Sequence, residues 1–217
     1  MRYELVREGI FLSRPNRFIA EVEVDGHILS CHVKNTGRLG ELFLPGVCLA
    51  LCPGQNPKRK TPYDVIAVQK AGQWVNIDSQ IINSVFGEWA KVRYPHLKPE
   101  VTFGNSRFDF LLEENHYAEV KGVTLLDDGC ALFPDAPTLR GEKHLQELAE
   151  MARNGLLADA VFVAAIPGAR CIRPHPERES FGRALREAKN AGVRLMGFST
   201  LVTRDTICIG EEIPVIL

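Results

Sequence analysis

Two short alternating runs, Ser106–Leu112 (SRFDFLL) and His116–Lys121 (HYAEVK), flank Glu113-Glu114-Asn115 and read together as one β-hairpin. No other stretch constrains the fold as strongly, because strand register decides which face every side chain takes. With the turn centred on Glu114, residues whose numbers mirror about it lie opposite each other. Asp109 then faces Glu119, Arg107 faces Lys121 and Phe108 faces Val120. One face carries Arg107, Asp109, Glu119 and Lys121, and the other carries Phe108, Phe110, Leu112, Ala118 and Val120, an apolar surface for a core. Directly opposed Cβ atoms lie about 4.5–5.5 Å apart, where two like charges destabilise a sheet unless something compensates. A hard divalent cation, Mg²⁺ or Mn²⁺, held by Asp109 and Glu119 is one compensation, since such ions take oxygen ligands from one or two carboxylates plus phosphate. Lys121 returns to the same face and could position an attacking water or steady charge on a phosphate. The competing reading is a surface hairpin with solvated charges.

The segment after the hairpin adds a helix. Thr138 is a suitable N-cap for a run to about Asn154-Gly155, with Leu145, Leu148, Ala149 and Ala152 as its apolar stripe. Arg140, Lys143, His144 and Glu147 fall on a stripe rotated by roughly 140°. They are expected to face away from the core, as a phosphate-backbone contact or as an ordinary solvated face. A triad drawn from Ser106, His116 or His144, and Asp135 lacks the G-x-S-x-G elbow, and no glycine-rich phosphate loop is present.

The first eighty residues are β-rich. Phe18–Val24 and His27–Val33 flank Asp25-Gly26, a hairpin turn signal, and Val47–Cys52, Tyr63–Lys70 and Gln73–Ile77 supply further short strands. This spacing suits a small barrel. Lys58, Arg59 and Lys60 are contiguous cations beside Tyr63, placed to touch phosphate or merely to solvate a loop. After Asp78 the pattern turns helical, with Ile81, Ile82, Val85, Phe86 and Trp89 at helix spacing. The buried-type strand Asp159–Ile166, the helix Glu177–Ala191 and the strand Val193–Phe198 then suggest an α/β core, with Leu201–Leu217 as an edge addition.

KNTGRLGELFLPG, GNSRFDFLL, YAEVKGVTL and FPDAPTLRGEKHLQEL together strongly resemble the sugar fermentation stimulation protein A (SfsA) family, over nearly the whole chain. The resemblance implies an N-terminal OB-fold-like β-barrel (1–80) with a nucleic-acid-binding role. A PD-(D/E)XK nuclease-like α/β domain (81–217) would follow it. Asp109, Glu119 and Lys121 match the catalytic D…ExK of that signature, and Glu100 is a candidate further metal ligand. Lys58, Arg59, Lys60, Arg107, Arg140, Lys143 and His144 are the candidate nucleic-acid contacts. DNA is the expected partner. Two readings stay open: a DNA-binding protein with a Mg²⁺-dependent phosphodiester-hydrolysing site, or a non-catalytic DNA-binding regulator of sugar-utilisation genes.

A net charge of −1 restricts any nucleic-acid footprint to local clusters. No apolar run reaches membrane-spanning length and the start, MRYELVREGIF, carries acids, so a cytoplasmic location is expected. The cysteines at 31, 48, 52, 130, 171 and 208 form neither a disulfide framework nor a CxxC pattern and are expected to be free thiols.

Overall fold

The computed structural model describes residues 1–35, 37–54, 56 and 58–217, so Thr36, within the KNTGRLGELFLPG stretch, lies outside the described residues. Strands β1 (Arg7–Asn16), β2 (Ile19–Val24), β3 (His27–Val33), β4 (Cys48–Pro53), β5 (Tyr63–Lys70) and β6 (Gln73–Asn76) form a sheet in the order β3-β2-β1-β4-β5-β6. A parallel pairing of β3 with β5, His32 with Asp64 and Val33 with Val65, closes the first five into an OB-like barrel. Asp25 and Gly26, at φ 51° and 78°, make the turn between β2 and β3. Positive φ at both positions matches the strand twist, which is why an Asp-Gly pair sits there. Inward residues such as Val22, Val33, Leu49, Leu51 and Val65 are buried and fill the barrel.

Helix α1 (Ile81–Lys91) leads into the second half. There β7 (Lys98–Phe103), β8 (Ser106–Glu113), β9 (His116–Val123), β12 (Leu157–Ala164), β14 (Arg194–Val202) and β15 (Ile207–Ile213) form a mixed sheet ordered β15-β14-β12-β9-β8-β7. The strand β12 pairs in parallel with both β9 and β14, and all of it but Leu157 is buried, as a continuous apolar run requires. On one face α1 packs Ile82, Val85 and Phe86 against Phe110, Leu112 and Phe198. Each such side chain contributes about 1.5–3 kcal/mol by leaving water. On the other face lie α2 (Leu139–Arg153) and α3 (Glu179–Asn190), with Leu145, Leu148, Phe181 and Leu185 in contact with the core. Thr138 caps α2 by accepting from the Gly141 N–H at 3.0 Å, as its sequence position implies. The buried cluster under α2 and α3 is continuous with the barrel core, and the N-terminal residues return to the α/β half, where the Met1 amine donates to the Ile207 carbonyl.

Several elements lacked a periodic signal. The edge strand β7 buries nothing fully, and β1 buries only alternate residues among charged ones. A third, small sheet of β10 (Leu125–Asp127), β11 (Cys130–Phe133) and β13 (Cys171–Pro174) is made of runs too short to show a period. The expectation of six free thiols is corrected here. Cys130 and Cys171 are register partners on the parallel pair β11/β13 and form a disulfide, whereas Cys31, Cys48, Cys52 and Cys208 are free. Strands distant in sequence bring the two sulfurs together, so spacing alone could not reveal the bond.

Candidate functional site

The alternation across the hairpin breaks at Asp109. Pairs Phe110 with Ala118 and Leu111 with Tyr117 keep the register mirrored about Glu114, but the ladder does not continue to Asp109. Instead the Asp109 carboxylate accepts the Val120 N–H at 2.7 Å, standing in for a backbone carbonyl. On the other side the β7 pairs Pro99–Phe110 and Val101–Phe108 flank Glu100, whose φ of 55° interrupts that strand at the same level. In consequence Phe108 packs on the α2 side with His144, while Phe110 and Leu112 pack on the α1 side. The expected single apolar face is therefore divided between two cores, and Asp109 sits at the division.

Close approach of α1 completes its setting. A Cβ on Gly122 would meet Ile82 at 3.0 Å, so the glycine allows the helix to settle on β9. Asn83, one residue on, then donates to Asp109 at 2.6 Å. Burial raises the Asp109 carboxyl above its ordinary range, and the Glu119 charge adds to this.

Glu119 is buried on the opposite, α2-facing side of β9. Its Oε1 accepts from the Lys121 amine and from His144 Nδ1. Arg140 Nε approaches His144 Nε2 at 3.5 Å. Burial acts to raise the Glu119 carboxyl, but the His144 hydrogen bond and the Lys121 charge outweigh it and hold the group below its ordinary value. Its second oxygen, Oε2, is buried with no hydrogen-bond partner.

Four sequence candidates thus meet in one place: Asp109, Glu119, Lys121 and His144, with Arg140 behind the imidazole. His144 and Glu147 do not face away from the core, contrary to the stripe argument. His144 is buried against Glu119, and Glu147 accepts from Ser106 Oγ at 2.7 Å, so a polar seam on α2 meets a polar seam on the sheet. Lys143 is exposed and lies 3.5 Å from Glu147. Glu100 is turned to solvent and pairs with Arg107 at 3.2 Å on the edge strands. Lys58 and Lys60 are exposed or nearly so on the barrel loop, but Arg59 turns inward, its Nη2 2.5 Å from Asp64. That contact belongs to a cavity of about 870 Å³, in which Lys34 also lies 2.9 Å from buried Asp78. The triad reading also fails, since Ser106 pairs with Glu147, His116 with Asp159 at 2.9 Å, and His144 with Glu119. Asn83 had no sequence signal beyond being a polar position on an amphipathic helix.

Between the two halves lies a cavity of about 110 Å³, lined by Asn35 and Ser79 from the barrel side and by Gly122, Thr124 and Asp135 from the other. The architecture and this junction define the class: a two-domain chain in which an OB-like barrel abuts an α/β domain that carries a buried and a half-buried carboxylate close together.

Comparison with known proteins gives the family. The model described as "SfsA N-terminal OB domain" matches residues 12–77, and that described as "Sugar fermentation stimulation protein RE domain" matches residues 76–206. A sugar fermentation stimulation protein homolog of Desulfitobacterium hafniense is 47% identical over 223 residues, covering 99% of this chain and 98% of its own. One from Clostridium beijerinckii is 42% identical over 226 residues, covering 100% of both. The solved structure of Pyrococcus furiosus SfsA in complex with Ca²⁺ superposes with a TM-score of 0.89 at 29% identity, covering 100% of this chain and 98% of that one. The chain belongs to the sugar fermentation stimulation protein (SfsA) family.

These findings correct the reading of a Mg²⁺-dependent phosphodiester-hydrolysing centre. Among the described residues no group of three or more His, Cys, Asp or Glu side chains converges to hold a metal ion. Glu100, the expected further ligand, is engaged elsewhere, and the ion of the solved relative is Ca²⁺. What stands is an α/β domain, without the nuclease-like, PD-(D/E)XK or magnesium assignments. Among the described residues no helix is long and apolar enough to cross a membrane.

Proposed function

We propose that this protein is a non-catalytic, cytoplasmic nucleic-acid-binding regulator, with DNA as its partner and genes of sugar utilisation as its targets. The barrel, about residues 1–80, and the α/β domain, about 81–217, grip the strand together. The OB-like barrel supports this reading, since such barrels present grooves and loops to oligonucleotides, and the family description supports the sugar association. Lys58, Lys60, Arg107, Arg140 and Lys143 supply exposed cations for phosphate, and Lys121 a half-buried one.

Asp109 and Glu119 would hold a divalent cation, which would supply positive charge for a phosphate without turnover. The observation carrying this part is the orphaned Glu119 Oε2, a buried anionic oxygen beside a second carboxylate. Such an oxygen suits a hard cation, with waters and phosphate completing the shell. His144 and Lys121 hold the Glu119 carboxylate in place and keep it ionised, while Asn83 and the Val120 N–H orient Asp109. Calorimetric titration of chelator-treated protein with Ca²⁺, Mg²⁺ and Mn²⁺, followed by DNA-binding assays with and without the ion, tests the reading. Binding of a cation in the parent protein, its loss in Asp109→Ala, and tighter DNA binding with the ion are expected. DNA affinity unaffected by cations, together with undiminished cation binding in Asp109→Ala, would contradict it.

A further inference from the structure

A pocket of about 270 Å³ opens at the start of α3, away from the carboxylate pair, and is lined by Arg173, His175, Arg178 and Arg186 together with Pro174 and Gly182. Its cations are poorly matched by anions. Arg173 approaches only the exposed Asp127, at 3.8 Å, beyond hydrogen-bond distance, and Arg178 approaches Glu177 at 3.6 Å. Among the described residues Arg186 has no ion-pair partner. The Nε atoms of Arg173 and Arg178 are buried and unpartnered. Gly182 leaves room for Arg186 to fold back along the helix, its Nη1 3.7 Å from where a Cβ would stand. His175 Nδ1 accepts the Glu177 N–H at 3.2 Å, so in the neutral ring Nε2 carries the proton and remains a donor. Against these donors stand Glu179 and, at the rim, the Leu217 terminus.

We propose that this pocket binds a phosphate group, delivered by the backbone of the nucleic-acid strand; the delivery rests on the function proposed above, the pocket does not. Planar guanidinium groups are donors that recognise phosphate oxygens. The volume lies below the roughly 300–1,000 Å³ of sites that enclose a whole drug-sized ligand, and suits a phosphate with its sugar. Arg178 also connects the pocket to the junction between the two halves, because its Nη2 donates to the Asp135 carbonyl at 3.3 Å and Asp135 lines the cavity there. A strand leaving that junction along the residues 134–138 loop would present its next phosphates to the pocket.

The test compares the parent with Arg173→Gln/Arg186→Gln and with Arg183→Gln, a single charge loss on the same helix outside the pocket. Fluorescence anisotropy with labelled single-stranded and duplex oligonucleotides across a salt series reads affinity and slope. In parallel, inorganic phosphate is titrated while the Nε–H resonances of the arginines are followed by NMR. The double variant is expected to bind about tenfold more weakly, with a log–log salt slope smaller by about 0.7 on single strands and about 0.9 on duplex, as for one phosphate lost. Arg183→Gln should stay within about twofold of the parent, and phosphate should shift the Arg173 and Arg178 resonances. Phosphate-induced shifts with no oligonucleotide binding by the parent would sustain the pocket and overturn the nucleic-acid reading. Oligonucleotide binding with equal affinity and slope in parent and double variant, and resonances unmoved by phosphate, would overturn the pocket while leaving that reading intact.

Discussion

Replacing Glu119 by Gln isolates the electrostatics of the carboxylate pair with almost no change of shape. Glu119 Oε1 accepts from both Lys121 and His144, and both hydrogen bonds end on an anion. Hydrogen bonds to charged groups contribute about 1.5–3 kcal/mol and neutral ones about 0.5–1.5 kcal/mol, so each of the two weakens by roughly 1 kcal/mol or more. The new amide group must also occupy the unpartnered Oε2 position, adding a buried donor with nowhere to donate. Relief of repulsion with Asp109 offsets part of this. Glu119→Gln should therefore lower stability at neutral pH by about 2–3 kcal/mol in urea denaturation without added cation. The pH dependence follows from the depressed Glu119 carboxyl. Its stabilising contribution is fully present above the unfolded-state value, about 4.3, and is lost as pH falls through the lower folded-state value. The difference between parent and variant should accordingly shrink in acid. A variant as stable as the parent at pH 7 would refute the reasoning.

Asp109→Asn should show the opposite pH dependence: it weakens the hydrogen bonds from Asn83 and the Val120 N–H but removes a charge that burial disfavours, so its stability relative to the parent should be higher at neutral pH than below about pH 3.9, as paired urea curves would show. Arg194→Met leaves buried Asp159 with His116 alone, and because Arg194 is half exposed the loss should be about 2 kcal/mol by the same assay, short of the 3–5 kcal/mol for fully buried pairs. Lys58→Gln/Lys60→Gln should flatten the salt dependence of DNA affinity with unchanged thermal stability, whereas Arg59→Gln should lower the melting temperature, because of these three cations Arg59 alone joins His32 and Lys34 around Asp64.

The sequence exposed the regular parts of this fold well. Asp25-Gly26 marked its turn, the apolar run of β12 marked a strand buried on both faces, and Thr138 marked the start of α2. Periodicity failed wherever one residue departed from its ladder. Asp109 takes a backbone N–H with its side chain, Glu100 adopts a positive φ, and the alternation shared by Phe108 and Phe110 is cut between them. Strand pairing brought Asp109 near Glu119 and Lys121, but not by the direct opposition across the hairpin that the mirrored spacing implied. It did not recruit Glu100, whose edge position leaves it to Arg107. The partners His144 and Asn83 come from helices packed on opposite faces of the sheet, and the Cys130–Cys171 bond from strands far apart in sequence. Such contacts are properties of packing, and no local pattern encodes them.

On the proposed function the carboxylate pair serves binding and not turnover. Labelled single-stranded, duplex and branched DNA incubated with excess protein in Mg²⁺, Mn²⁺ or Ca²⁺, then resolved under denaturing conditions, tests it most directly. DNA should be bound in the native assay and of unchanged length afterwards. Metal-dependent shortening that disappears in Glu119→Gln would contradict it.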